Sequence, residues 1–113
     1  MNSRDSSILR HMVGYCQQIQ KSVERFGDSF EVFQADPDYK NSVALCVLQI
    51  GELSGQLSEE FKDIHREIPW REIKAMRNVV AHRYGTIDTQ VLFETVQNDI
   101  PALLEYCETL LQT

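Results

Sequence analysis

Positions 77 to 84 read Arg77-Asn78-Val79-Val80-Ala81-His82-Arg83-Tyr84, an arginine, a histidine and a tyrosine at short fixed spacing in an otherwise ordinary helical sequence. A guanidinium can hold a phosphate through paired hydrogen bonds, an imidazole can move protons near neutral pH, and a phenol offers a hydroxyl open to modification. Together these are the needs of phosphodiester cleavage without a metal or cofactor. His11 and His65 have no partner at metal-ligand spacing and read as surface or structural residues.

The charge pattern allows a nucleic-acid substrate only locally. The chain carries a net charge of -6, which argues against broad, nonspecific binding to nucleic acid, because such binding draws on phosphate neutralisation. From Ile73 through Ile87, however, there are three basic residues, Lys74, Arg77 and Arg83, and no acidic one, so that window is +3 and the remainder -9. A small basic island stands in an acidic protein.

The 113 residues suit one domain, 1–113, large enough to bury a core but too small for two. An apolar fraction of 42% and a charged fraction of 25% exclude disorder as the expectation. Cys16, Cys46 and Cys107 are odd in number, lack CxxC spacing and fall among apolar residues, which predicts buried reduced thiols in a cytoplasmic protein. The polar start and the absence of any run of about 18 apolar residues predict a chain neither exported nor membrane-spanning.

The elements that must position the motif read as helices throughout. Ile8, Met12, Cys16, Ile19, Val23 and Phe26 recur at spacings of three and four from Ser6 or Ser7 onward, closing at Gly27. Asp28 to Gln34 predicts a short extra turn capped by Asp28 or Ser29. After Asp36-Pro37, a single stripe of Val43, Val47, Ile50, Leu53, Leu57 and Phe61, with Leu45 and Leu48 on a second side, predicts a central helix. Gly51 and Gly55 within it read as packing residues that let a neighbouring backbone approach. Pro69 predicts the first residue of a fourth helix, with Trp70 as its packing anchor; Ile73, Met76 and Val80 form its stripe, and Gly85 ends it. Asp88 or Thr89 caps a final helix through Leu92, Val96, Ile100, Leu103, Cys107 and Leu110, with a kink near 98–100 ahead of Pro101. The predicted fold is all-α, an up-and-down helix bundle of four long helices plus one short helix.

On an ideal helix five residues turn about 500°, leaving Arg77 and His82 roughly 140° apart in azimuth. Arg77 aligns instead with Tyr84, and Asn78 with His82. Either the helix loosens near Ala81-His82, or the site combines groups from two chains; both alternatives put the motif beside a groove.

Arg77-x4-His82-x-Tyr84 resembles the R-x4-6-H-x-Y signature of HEPN-superfamily ribonucleases, and specifically of the HepT toxins paired with an MntA-type minimal nucleotidyltransferase antitoxin. Gln-Ile-Gly-Glu-Leu at 49–53, Leu-Ser-Glu-Glu-Phe at 57–61, Ile-Pro-Trp-Arg-Glu-Ile at 68–73 and Asn-Asp-Ile-Pro-Ala-Leu at 98–103 are similar to that family too. The resemblance implies a HEPN-like bundle and a metal-independent endoribonuclease acting on RNA, tRNA being a known target class, and on neither DNA nor membranes. It also implies a homodimer whose two motifs face a shared cleft. Arg77 would hold the phosphate and His82 would act as general base or acid. Asn78 would orient the imidazole, with Glu52 a second polar group at the cleft and Lys74 and Arg83 contacting RNA. Tyr84 matches the tyrosine that the partner nucleotidyltransferase modifies with AMP, adding charge and bulk that compete with RNA.

Each residue has a plainer reading. Arg77 could pair with an acidic side chain, His82 could be a helix-dipole partner, and Tyr84 an edge aromatic. The alternative function is a non-catalytic HEPN module that binds a nucleotidyltransferase or a nucleotide.

Overall fold

The structure, a computed structural model, describes residues 1–112. Seven α-helices are found among the described residues: α1 Ser3–Phe26, α2 Phe30–Ala35, α3 Pro37–Gln56, α4 Glu59–Ile64, α5 Trp70–Arg83, α6 Thr89–Glu94 and α7 Ile100–Leu111. A 3-10 turn, Tyr84–Thr86, follows α5, and a π-helical segment, Thr95–Asp99, joins α6 to α7. The all-α bundle read from the sequence is the fold.

α1 begins three to four residues before the predicted start. Asn2 accepts a hydrogen bond from the Asp5 N–H at 2.7 Å, a cap that satisfies one of the orphan donors of the first turn. Its apolar face buries Ile8, Leu9, Met12, Cys16 and Ile19, each full burial contributing about 1.5–3 kcal/mol for a large aliphatic side chain. The helix ends at Gly27, where φ is 114° and the N–H donates to the Val23 carbonyl at 2.9 Å. A side chain at that φ would be strained.

The predicted central helix is two helices. Leu57 adopts extended backbone (φ -65°, ψ 147°), and the Ser58 hydroxyl accepts from the Phe61 N–H to start α4. What holds the break is Asp5, a carboxylate only 2% exposed that accepts from the Ser58 N–H at 3.0 Å and from the Ser58 hydroxyl at 2.7 Å. Leu57 and Phe61 are both buried, so the apolar stripe runs on across the break. Leu45, expected on a buried second side, is instead 55% exposed.

The last predicted helix is also divided. The Ile100 N–H donates to the Thr95 carbonyl five residues back, widening the helix just before Pro101, whose missing N–H could not have continued the regular ladder. The kink expected near 98–100 is this widened turn.

α1 packs against both α3 and α7, α3 also supports α5, and α2 bridges α3 and α6. In order of contact the long elements therefore run α5, α3, α1, α7. Phe33 and Tyr39, both fully buried, meet edge to face with centroids 4.8 Å apart and tie α2 to α3. All three cysteines are free and buried, with the Cys16 thiol pushed up to about 12 and Cys107 to about 11, chiefly by burial. Among the described residues no helix is long and apolar enough to cross a membrane.

Candidate active site

α5 carries the motif. Pro69 sits one position before its first residue and contributes its carbonyl to the Ile73 N–H at 3.0 Å. Trp70 anchors this end by donating its indole N–H to the His65 carbonyl at 3.0 Å and packing edge-on to Phe61. The helix is regular from Trp70 to Arg83, so the first of the two alternatives, a loosening near Ala81-His82, does not occur. The break falls at Arg83 (φ -137°, ψ 28°), and Gly85, expected to close the helix, lies inside the right-handed 3-10 turn that follows.

Arg77 is set by α3. A Cβ built on Gly51 would lie 2.7 Å from Arg77 Cγ and 3.5 Å from its Cα, so only glycine at 51 lets the arginine stem seat there. Gly55, given the same role from the sequence, has nothing near its would-be Cβ. Glu52 accepts from Arg77 Nε through Oε1, and the same oxygen pairs with Nη2. Arg77 Nη1 donates to Asn78 Oδ1 at 3.0 Å. The acidic partner of the plainer reading thus exists. It grips one edge of the guanidinium, and each terminal nitrogen keeps an N–H for a phosphate.

Asn78, aligned by helix period with His82, gives its amide oxygen to Arg77; among the described residues the His82 side chain has no hydrogen-bond partner, and the residue is exposed. Because α5 is straight between them, Arg77 and His82 of one chain point to different sides, as the roughly 140° separation requires. The structure does not bring these two together within one chain.

A groove of about 690 Å³ opens between α3 and α5 beside Arg77. Lys62, Arg71, Lys74 and Arg77 line it, against only Glu52 and Glu59. Glu52 is committed to Arg77, and Glu59 lies 3.9 Å from Lys62. Lys74 therefore lies in this basic groove, whereas Arg83 is exposed but outside its lining. Arg71 and Lys62 were missed in the sequence reading; Arg71, Lys74 and Arg77 recur every three residues, a spacing that could have revealed the basic face.

The bend at Arg83 redirects Tyr84. Its hydroxyl, 37% exposed as a residue, donates to Asn41 in the first part of α3, and partial burial raises the phenol above its ordinary pKa. Asn41 had no sequence signal, because it reaches Tyr84 only through the antiparallel packing of α3 and α5. Glu52 and Asn41 are eleven residues apart on α3, about 16 Å of rise, so Arg77 and Tyr84 are moored at separate points. Leu45, one turn beyond Asn41 on the same face, leaves an apolar surface next to the Tyr84 anchor.

Residues 12–110 match the family described as Ribonuclease HepT-like. The chain is 32% identical over 104 residues to a protein from Caldanaerobacter subterraneus subsp. tengcongensis whose name gives it as a candidate RNase, covering 92% of this chain and 91% of that one. It is 36% identical over 94 residues to a protein of Thermococcus cleftensis named as a probable ribonuclease HepT, covering 79% of this chain and 86% of the relative. A further candidate RNase by name, from Methanocaldococcus jannaschii, is 32% identical over 59 residues, 52% of this chain and 54% of that one. No solved structure matches at a significant level. An all-helical bundle with Arg77 and His82 on one helix and Tyr84 in the turn after it fits the HEPN class. Within it, this chain belongs to the HepT-like ribonuclease family.

Proposed function

We infer that this protein, a single domain over 1–113, is a metal-independent endoribonuclease and the tRNA-cleaving toxin of a HepT/MntA-type pair. One observation carries the reading: Arg77 is braced from one side by Gly51, Glu52 and Asn78, and its remaining N–H groups stand in a basic groove. A guanidinium held this way meets a phosphate without first being ordered, and it offsets the charge that builds as the phosphorus becomes five-coordinate.

The reaction begins when the ribose 2′-hydroxyl attacks the adjacent phosphorus. Its proton passes to a base, the P–O5′ bond breaks, and the leaving oxygen takes a proton, giving a 2′,3′-cyclic phosphate. His82, exposed and with a side chain free of hydrogen bonds among the described residues, is the group able to carry those protons near neutral pH. Since Arg77 and His82 diverge on a straight helix, the productive pair comes from two chains of a homodimer. The exposed Leu45 and Val79 give that contact apolar surface. Lys74 and Arg71 hold flanking phosphates in the groove, with Arg83 extending the basic surface.

Regulation falls to Tyr84. The cognate MntA-type nucleotidyltransferase would move AMP from ATP to the phenol oxygen, forming an O–P bond and releasing pyrophosphate. The raised phenol pKa means that the transferase must supply the base. The added adenylate would break the tie to Asn41 and set an anion two residues from His82.

Purified protein incubated with total tRNA in EDTA tests the nuclease. Cleavage is expected, ending in 2′,3′-cyclic phosphate and abolished in His82→Ala; absence of cleavage, or cleavage that survives this substitution, rejects the reading. For the switch, exposure to the cognate transferase and ATP should raise the intact mass by adenylate units in wild type and not in Tyr84→Phe.

A further inference from the structure

The other flank of α5 borders a second groove, of about 450 Å³, that the nuclease chemistry leaves unused. Its lining runs from α5 to the π-helical segment and α7, while α5 rests mainly on α3. Ile50, Ile73, Met76 and Leu103 give it an apolar floor. Glu67, Glu72, Glu94 and Asp99 rim it, and its lining contains no lysine, arginine or histidine. Among the described residues none of the four carboxylates is in an ion pair. Glu67 is fixed in place by the Tyr106 hydroxyl at 3.0 Å, and Tyr106 in turn lies 3.0 Å from His65 Nδ1. The two grooves share no residue, so α5 divides a basic trough from an acidic, apolar one.

We propose that this second groove docks a cationic amphipathic helix of a partner protein, with apolar side chains on Ile73, Met76 and Leu103 and lysines or arginines against the four carboxylates. The chemistry selects this occupant. Four like charges around an apolar floor repel one another until opposite charges arrive, and a helix presents both kinds of group at i, i+3/i+4 and i+7. RNA is repelled by the same rim. Electrostatic matching of this kind raises the association rate and sets which partners are accepted.

The test uses isotopically labelled full-length protein and two synthetic helical peptides of about 14 residues, four turns, one Leu/Lys and one Leu/Glu, with identical apolar spacing. The Leu/Lys peptide is expected to shift backbone amide signals around Glu72, Ile73, Glu94 and Leu103, with affinity falling as salt rises, while the Leu/Glu peptide leaves them unmoved. The double variant Glu72→Lys, Glu94→Lys should weaken binding at least about tenfold, whereas Glu24→Lys, Glu60→Lys, an equal change of charge at exposed positions outside both grooves, should keep it. The proposal is overturned if the shifts map elsewhere or if both variants bind alike. RNA cleavage is scored separately, so neither result stands in for the other.

Discussion

The stem of Arg77 occupies the space that a side chain at position 51 would need. Gly51 is buried in α3, and its would-be Cβ falls 2.7 Å from Arg77 Cγ. Gly51→Ala must therefore push α5 away from α3. Overpacking of about 1–3 kcal/mol outweighs the roughly 0.5–1 kcal/mol that alanine returns as a better helix former. Urea unfolding should show a lower midpoint at unchanged slope, together with a loss of RNA cleavage; an unchanged midpoint would refute the close approach.

Glu52→Gln separates bracing from packing. With side chains 31% and 42% exposed, the Arg77–Glu52 pair contributes little to stability, about 0–1 kcal/mol. Removing the charge frees the guanidinium for phosphate but loosens it. Steady-state cleavage should show KM falling and kcat falling with it, while thermal stability barely moves; a rise in KM at constant kcat would contradict the bracing role.

Mixing Arg77→Ala with His82→Ala decides whether the site spans two chains. In a mixed dimer a composite site pairs the intact Arg77 of one chain with the intact His82 of the other, so activity should return to about a quarter of wild type, from half the dimers with one site each. Sites built within one chain would recover nothing.

Asp5→Ala addresses the fold and not the chemistry. The buried carboxylate accepts two hydrogen bonds from Ser58, and its removal strands the Ser58 N–H in a part-buried place, at about 1–3 kcal/mol. The unfolding free energy from urea titration should fall by that amount, with amide exchange accelerating first at α4.

Glu67 gives the pH dependence. A hydrogen bond from its own backbone, then the Tyr106 hydroxyl, hold its carboxyl below the ordinary range. A carboxyl depressed in the folded state stabilises the fold above its unfolded pKa, and that contribution is lost as pH falls through the lower, folded value. In Tyr106→Phe the Glu67 midpoint, followed by the NMR shift of its carboxyl carbon, should rise towards the ordinary range. An unmoved midpoint would leave the hydroxyl without a role.

The helices were legible because 3.6-residue periodicity survives in the sequence: Ile8 through Ile19 and Leu92 through Cys107 are buried where their spacing put them. The break at Leu57 was hidden by the same signal, since Leu57 and Phe61 stay in phase across it, and the Asp5 carboxylate that holds it lies 53 residues away in the chain. At the site, the divergence of Arg77 and His82 followed from helix geometry alone. The Asn78 amide went to its chain neighbour Arg77 instead of to His82, because Glu52 had already turned the guanidinium that way. Asn41 and the mooring of Tyr84 depend on the bend at Arg83 and on how α3 meets α5, neither of which is periodic.

α5 buries one residue, Val80, out of fourteen, and leans mainly on α3, with Trp70 against Phe61 at its start. Few buried contacts mean a low free energy of local opening, so this helix should exchange its amide protons before α1 or α3 does. The segment that carries the motif is thus the one whose order is most readily set from outside, by whatever settles into the groove on either side of it.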